Sequence, residues 1–218
     1  MTGILVLLIG FTAVTPQAGS IWDELTAAQQ ALISSGSQVF ITRDVPGAPW
    51  PKAWVYQHVE STPEEAAAVF ADYEAATSFA PELKAAKISM RVDPRTTEVT
   101  CTIGVPIMGD VDYTVRNTVS QYSARGAAYR VDWTLVRSST MKSSDGNIRF
   151  ESQGTGTLVA YYSWVVPNSI FAGAVRAHAL EGVRDNVAAL VKRIQGERAH
   201  EQTLLQRQLA ALRAALGS

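Results

Sequence analysis

The stretch VTCTIGVPIMGDVDYTV, residues 99–115, alternates apolar and polar side chains on both sides of a Pro-Ile-Met-Gly break. A period of two is typical of a β-strand that buries one face. Two strands joined by so short a break must pair antiparallel, so the stretch predicts a β-hairpin. One face of the hairpin is apolar and carries Val99, Cys101, Ile103, Val105, Val111, Tyr113 and Val115. Other elements of the chain must cover that face.

The same period continues on both sides of the hairpin and predicts a larger antiparallel sheet. About seven strands are expected, at residues 53–60, 86–92, 98–105, 111–122, 128–138, 147–152 and 155–166, with a turn at 145–146. Two short helices follow the first strand, one opening at 61–65 and one at 72–79. A long helix is predicted at 169–194, with Val183, Val187, Leu190 and Ile194 as its apolar stripe. This order of elements predicts an α+β fold.

Additional segments flank this sheet. An amphipathic helix is predicted at 21–34 with Ser20 as its N-cap, followed by a short run at 38–42 that is compatible with a strand, and by a Pro-rich connector at 46–51. Beyond Gly196 the pattern stays helical, with an apolar seam at Leu205, Leu209, Leu212 and Leu216. That seam either packs on its own domain or binds a partner helix.

The composition argues against several classes of function. The chain has 218 residues, 47% of them apolar and 18% charged, which is enough to bury one sizeable core. A formal net charge of -1 without a concentrated basic face argues against nucleic acid as a partner. Cys101 is the only cysteine, so an internal disulfide and a multi-cysteine zinc site are excluded. The three histidines have no metal-ligand spacing, and no cofactor-binding motif is present.

The first eighteen residues contain an apolar run, ILVLLIGFTAV at 4–14. It has the length of a signal-peptide core and is shorter than the roughly 20 residues that span a bilayer. We interpret residues 1–18 as an export signal and expect a periplasmic protein of bacterial origin. The run lacks a preceding Lys or Arg, and cleavage after Ala18 puts Pro16 where a small residue is usual. An uncleaved membrane anchor and a buried segment are therefore alternative interpretations.

Three further stretches carry a resemblance to a known family: VYQHVESTPEEAAAVF at 55–70, Asp72-Tyr73-Glu74 followed by Phe79-Ala80-Pro81, and IGVP at 103–106. With the order of elements, they resemble the START-like (SRPBCC) helix-grip superfamily, which includes lipid-transfer domains, birch-pollen-allergen-like proteins and polyketide cyclases. The resemblance covers about residues 53–194 and implies a curved antiparallel sheet wrapped around a long C-terminal helix. It divides the chain into residues 1–18, an N-terminal helix and linker at 20–51, a START-like domain at 52–195 and a helical extension at 196–218.

The resemblance implies a deep cavity between the sheet and the long helix that holds a lipid or another hydrophobic molecule. Elementary geometry agrees, because one helix about 10 Å across cannot fill the concave face of a strongly curved sheet. We expect the ligand to contact inward strand residues and one helix residue: Val99, Cys101, Ile103, Tyr113, Val115, Asn117, Val131, Trp133, Leu135, Arg137, Ala160, Tyr162, Trp164 and His178. In the alternative interpretation the core is filled, with Trp133 and Trp164 occupying the space.

Two polar residues, Asn117 and Arg137, fall in this apolar series. An unpaired buried charge costs several kcal/mol. Either both residues receive the polar head of a ligand, or Arg137 lies near solvent at a strand end or beyond a bulge that shifts its phase. Entry is expected through residues 72–84 or the loop 106–109, where two apolar residues of the loop are candidates for transient membrane contact.

The rival function is catalysis. His178 shares a helix face with Glu181 and Asp185, and a His beside an acid can act as a general base, although a partly exposed surface pair has the same spacing. In a cyclase, aromatase or hydrolase-like enzyme, His178, Arg137 or Tyr162 would be the acid-base groups. A third hypothesis is a ligand-free module that binds a partner protein through its terminal helices. The sequence predicts no oligomeric state.

Overall fold

The computed structural model describes residues 19–106, 109–168 and 172–217. Its centre is an open, curved antiparallel sheet of eight strands in the order β1-β2-β8-β7-β6-β5-β4-β3. The strands are β1 (Val39–Arg43), β2 (Lys52–Val59), β3 (Leu83–Asp93), β4 (Thr96–Val105), β5 (Gly109–Ser123), β6 (Ala127–Ser138), β7 (Met141–Gln153) and β8 (Gly156–Pro167). The helices are α1 (Ala27–Ser34), α2 (Pro63–Ala71), α3 (Arg176–His200) and α4 (Gln202–Leu216), with 3₁₀ helices at Ile21–Glu24 and Tyr73–Ser78. The predicted α+β helix-grip architecture is confirmed.

Two strand predictions differ from the structure. The short run at 38–42 forms β1, which pairs with β2 and adds an eighth strand at one edge of the sheet. The turn predicted at 145–146 is wrong, because β7 continues through it and Gly146 pairs with Ser163 of β8. Glycine is required at this position because a side chain would clash with its neighbours, and not because the chain turns. An added Cβ would lie 2.5 Å from the carbonyl oxygen of Tyr162 and closer still to the indole ring of Trp133.

The N-terminal segment covers the convex face of the sheet. The helix predicted at 21–34 is split into the 3₁₀ helix Ile21–Glu24 and α1. The predicted N-cap Ser20 does not cap either one: its Oγ donates to Glu151 Oε2 at 2.9 Å, and the Ile21 N–H donates to the same oxygen at 2.8 Å. Thr26 caps α1 instead, in a reciprocal capping box with Gln29. Ile21 is fully buried in a second apolar cluster with residues of β2 and β8.

The concave face carries α2, α3 and α4. Thr62 caps α2 in a capping box with Glu65, and the small buried residues at 66–69 bring this helix close to the sheet. The apolar seam of α4 is buried in the main core beside α2, so it packs on its own domain. The long helix α3 begins at Arg176 and passes through Gly196 without a break. The predicted domain boundary at 195–196 is therefore not marked by a helix end.

None of the helices in the described ranges is both long and apolar enough to cross a bilayer. The apolar run at 4–14, on which the export prediction depends, lies outside those ranges, as do Ile107 and Met108 of the proposed membrane-contacting loop.

Candidate functional site: an apolar cavity under the sheet

The concave face of the sheet is filled at one end and open at the other. At the filled end, α2, α4 and the C-terminal half of α3 form the main core with the sheet. At the other end, a cavity of about 390 Å³ lies between the sheet, the N-terminal half of α3 and the 3₁₀ helix Tyr73–Ser78. The wall that α3 contributes includes the small residues Ala179 and Gly182 together with Leu180, Val183 and Leu190.

The cavity wall contains eight of the predicted site residues: Val99, Cys101, Ile103, Tyr113, Val115, Asn117, Trp133 and His178. Most of them belong to β4 and β5, the two strands of the hairpin. Val131 is also on the concave face, but it is wholly buried in the filled end of the core, and Leu135 packs against the edge of that core. Neither Val131 nor Leu135 lines the cavity.

Arg137 does not line the cavity, and its position agrees with the alternative expectation of a bulge that leaves it near solvent. A β-bulge lies between the cross-strand pairs Val115–Leu135 and Thr114–Arg137, and it shifts the phase of β6 by one residue. Arg137 therefore lies on the convex face with Thr114, and it is exposed to solvent. The bulge avoids the burial of an unpaired guanidinium.

The phase of β8 is opposite to the prediction. The residues of β8 that line the cavity are Tyr161, Ser163 and Val165. The predicted inward orientation of Ala160, Tyr162 and Trp164 is therefore wrong, because these residues lie on the convex face. Ala160 packs there in the cluster under the N-terminal segment. Since both faces of β8 are covered, its sequence is almost continuously apolar and has no alternation that identifies the inner face.

Trp133 forms a wall of the cavity and does not fill it. Its ring centroid is 5.1 Å from that of Tyr161 and 6.5 Å from that of Phe70. Gly146 on the next strand leaves room for the indole ring against the backbone. Since Trp164 lies on the opposite face and about 390 Å³ remains beside Trp133, a core filled by these two residues is wrong for this end of the sheet.

Burial keeps the hydroxyl and thiol groups of the wall protonated. It raises the pKa of Tyr161 to about 12 and the pKa of Tyr113 well above its ordinary value, where the neighbouring Cys101 thiol adds to the effect. The same desolvation raises the pKa values of Cys101 and Tyr73. These groups can exchange hydrogen bonds with a ligand at neutral pH, but none is present as a reactive anion.

Asn117 is the amide side chain that β5 contributes to this wall. It is 5% exposed and shares the concave face with its cross-strand partner Trp133. It is also the last residue of β5 in the cavity wall, since Val119 already belongs to the filled core. Within the described part of the chain, no residue makes a hydrogen bond to the Asn117 side chain.

The cavity reaches partly exposed residues where the start of β3 faces the start of α3. There His178 Nε2 lies 2.6 Å from Glu82 Oε1, with side chains 37% and 40% exposed. Apart from this ion-pair contact, Nε2 makes no hydrogen bond to a described residue. Glu82 adopts a left-handed φ of 63°, which is uncommon for a residue with a Cβ. No described ion pair joins His178 to the predicted partners Glu181 and Asp185. We call this region, residues 79–83 and His178, the mouth.

Several residues that line the cavity were not among the predicted ligand contacts: Tyr73, Phe79, Glu82, Tyr161, Ser163, Gly182 and Asn186. The available signal was on the first half of α3, where Ala179, Gly182 and Asn186 recur at three- and four-residue spacing. The sequence predicted entry through residues 72–84 and a role for His178, but it did not indicate that Glu82 and His178 lie side by side. No group of three metal-ligating side chains occurs among the described residues.

No protein-family model and no curated protein sequence matches the chain. Solved structures do match it. A STAR-related lipid transfer protein from Xanthomonas axonopodis is 16% identical, with a TM-score of 0.63 over 72% of this chain and 93% of that one. Human StAR-related lipid transfer protein 5 is 12% identical, with a TM-score of 0.59 over 74% and 83%. The ZhuI aromatase/cyclase from Streptomyces sp. R1128 is 11% identical, with a TM-score of 0.55 over 73% and 95%. The chain therefore has the START-like helix-grip fold.

Proposed function

We propose that this protein binds a hydrophobic small molecule in the cavity between its sheet and α3, and carries that molecule through water. The volume of the cavity, about 390 Å³, is the observation that carries the proposal. Ligand sites typically measure roughly 300–1,000 Å³ and have apolar walls with a few polar groups. The space must be occupied by water or a ligand, and its apolar wall favours a ligand.

The comparisons support the same general function. The structures from Xanthomonas axonopodis and human are described as lipid transfer proteins, and their fold is shared along most of this chain. Enclosure has a clear physical benefit for such a cargo, since each CH₂ group kept out of water is worth about 0.8 kcal/mol. We place entry and exit at the mouth, which lies at the end of the predicted entry region 72–84.

A cyclase or aromatase is the second candidate, and the likeness to the Streptomyces aromatase/cyclase is the observation that favours it. The positions of the proposed acid-base groups weaken it. Arg137 and Tyr162 lie on the convex face, away from the cavity, and His178 lies at the mouth beside Glu82. Turnover of an aromatic polyketide substrate that is lost in His178→Gln would favour the enzyme over the carrier.

Export is part of the proposal, and it rests on the apolar run at 4–14. N-terminal sequencing of the protein secreted by a bacterial host tests it directly. A mature chain that begins near Gly19 agrees with cleavage, and an intact Met1 in the membrane fraction would favour the anchor instead.

Native mass spectrometry of the purified protein, followed by extraction and mass analysis of any bound molecule, tests the binding function. A displaceable fluorescent probe, N-phenyl-1-naphthylamine, gives the affinity. Val115→Trp should abolish probe binding, because Val115 is 8% exposed and lines the cavity. The matched control is Val136→Trp, because Val136 is 42% exposed and outside the cavity wall. Equal binding by both folded variants would contradict the proposed site.

A further inference from the structure

The cavity wall carries very little charge. Among the described residues that line it, Glu82 is the one carboxylate, and no Lys or Arg is present. Glu82 belongs to the mouth and faces His178, so neither group lies at the inner end. Three arginines line a separate cavity of about 220 Å³, which shares Tyr73 with this one: Arg91, Arg95 and Arg207. A ligand carboxylate or phosphate at the inner end would therefore have no cationic partner in the wall.

The inner end nevertheless contains a polar group. Asn117 as a residue is nineteen-twentieths buried and lines the cavity, and its side-chain amide makes no hydrogen bond to any described residue. A purely apolar ligand that reached this end would leave both the amide oxygen and the amide nitrogen without partners, at a considerable cost in affinity. A hydroxyl group is the simplest complement, because one oxygen can donate to the amide oxygen or accept from the amide nitrogen.

The size of the cavity limits the apolar part of the ligand. Its volume of about 390 Å³ lies near the lower end of the roughly 300–1,000 Å³ that is typical of ligand sites. A cavity at this end of the range suits a single chain or a compact ring system.

We infer that the cavity selects an uncharged amphiphile with a single chain or ring system, which enters polar end first and places a hydroxyl-type oxygen against Asn117. This inference rests on the proposed ligand-binding function and specifies its ligand. An anionic lipid of equal length is rejected in this orientation, because its head would be buried without a counter-charge. In the reverse orientation its head would lie beside the Glu82 carboxylate, and its tail would leave Asn117 unpaired.

The test compares three ligands of matched length at pH 8 in the full chain: 1-dodecanol, dodecanoate and dodecane. Their affinities are measured by displacement of N-phenyl-1-naphthylamine and confirmed by native mass spectrometry. We expect 1-dodecanol to bind at least ~100-fold more tightly than dodecanoate, which is ionised at this pH. We expect it to bind about tenfold more tightly than dodecane, since one hydrogen bond to a buried partner accounts for about that factor.

Two substitutions identify the polar contact. Asn117→Leu should weaken 1-dodecanol about tenfold and leave dodecane unchanged or tighter, because it removes only the polar partner. Asn117→Lys should reverse the preference and admit dodecanoate, since it supplies the missing counter-charge. The matched control is Asn147→Leu on β7, because Asn147 lies outside the cavity wall and pairs with Tyr162 on the convex face. This control should bind all three ligands like the wild type.

The outcomes separate the inference from the function on which it rests. If neither the probe nor any of the three ligands binds, the proposed function and the inference are both wrong. If 1-dodecanol and dodecanoate bind equally well, or if Asn117→Leu leaves the affinity for 1-dodecanol unchanged while the probe still binds, the function stands and the inference is overturned. Circular dichroism and thermal unfolding of each variant confirm that it is folded. Should Asn117→Lys fail to fold, the ligand series on the wild type and on Asn117→Leu still decides the question.

Discussion

Replacing Gly146 by Ala should both destabilise the protein and shrink its cavity. Gly146 lies in the middle of β7, where it pairs with Trp133 on one side and with Ser163 on the other. A Cβ at this position would lie 2.5 Å from the backbone oxygen of Tyr162 and closer still to the Trp133 ring. Restoring an ordinary contact of 3.4 Å requires the Tyr162 carbonyl to move by about 0.9 Å and the indole ring to move further. The strand cannot yield easily, because it is hydrogen-bonded on both sides.

Overpacking of this kind costs typically about 1–3 kcal/mol, and we expect the upper part of that range because backbone must move as well as a side chain. For a chain of this size, the loss corresponds to a fall in Tm of about 4–12 °C. The space open to the displaced ring is the cavity itself, since Trp133 forms part of its wall. The affinity for a bound apolar probe should therefore fall together with the stability.

Urea unfolding followed by circular dichroism measures the free energy of unfolding, and titration with the fluorescent probe measures the affinity. Gly104→Ala on β4 is the matched control. A Cβ there would meet Lys84 Cε at 3.0 Å, near the end of a flexible side chain that can move away. Its stability should stay within ~0.5 kcal/mol of the wild type. If both glycine variants unfold alike and bind the probe like the wild type, the proposed packing of Trp133 against Gly146 is wrong.

Three further predictions concern the α3 wall of the cavity, the Cys101 thiol and the ion pair between Glu64 and Arg213. Gly182→Leu should weaken probe binding, because Gly182 lines the cavity and a Cβ there would meet no atom within 4 Å, so the new side chain can enter the open space. The same change should raise the Tm, because glycine costs about 1 kcal/mol in a helix interior. An unchanged affinity would contradict an open space beside α3. Burial raises the pKa of the Cys101 thiol, so the pH midpoint of its reaction with monobromobimane should lie above the value of about 8.5 for a free thiol. Bound ligand should slow the reaction. A midpoint at or below 8.5 would contradict the burial of the thiol. Arg213 donates a hydrogen bond to Glu64 and lowers the pKa of this carboxyl group. Glu64→Gln should therefore reduce the Tm at pH values above the unfolded-state pKa of about 4.3, and the difference from the wild type should disappear as the pH falls through the lower folded-state pKa. A difference in Tm that persists at pH 2 would argue against an ionic contribution.

The sequence alone determined the hairpin and its inner face. β4 and β5 have one face in the core and one that is largely polar, so a period of two identified Val99, Cys101 and Val115 correctly. The long helix, the order of elements along the chain and the start of α2 were likewise local properties. The α2 N-terminus is an example, because Thr62 and Glu65 cap it with their own side chains.

The tertiary structure alone decided the rest of the site. The bulge in β6 turned Arg137 outward, and the cover of the N-terminal segment over the convex face made both sides of β8 apolar, so that no alternation marked Tyr161 as inward. The mouth joins Glu82 and His178, which are far apart in the chain. A cavity is the difference between the volume that the backbone encloses and the volume that the side chains fill. No stretch of sequence encodes that difference, because it depends on how the sheet curves and on how closely α2, α3 and α4 approach it.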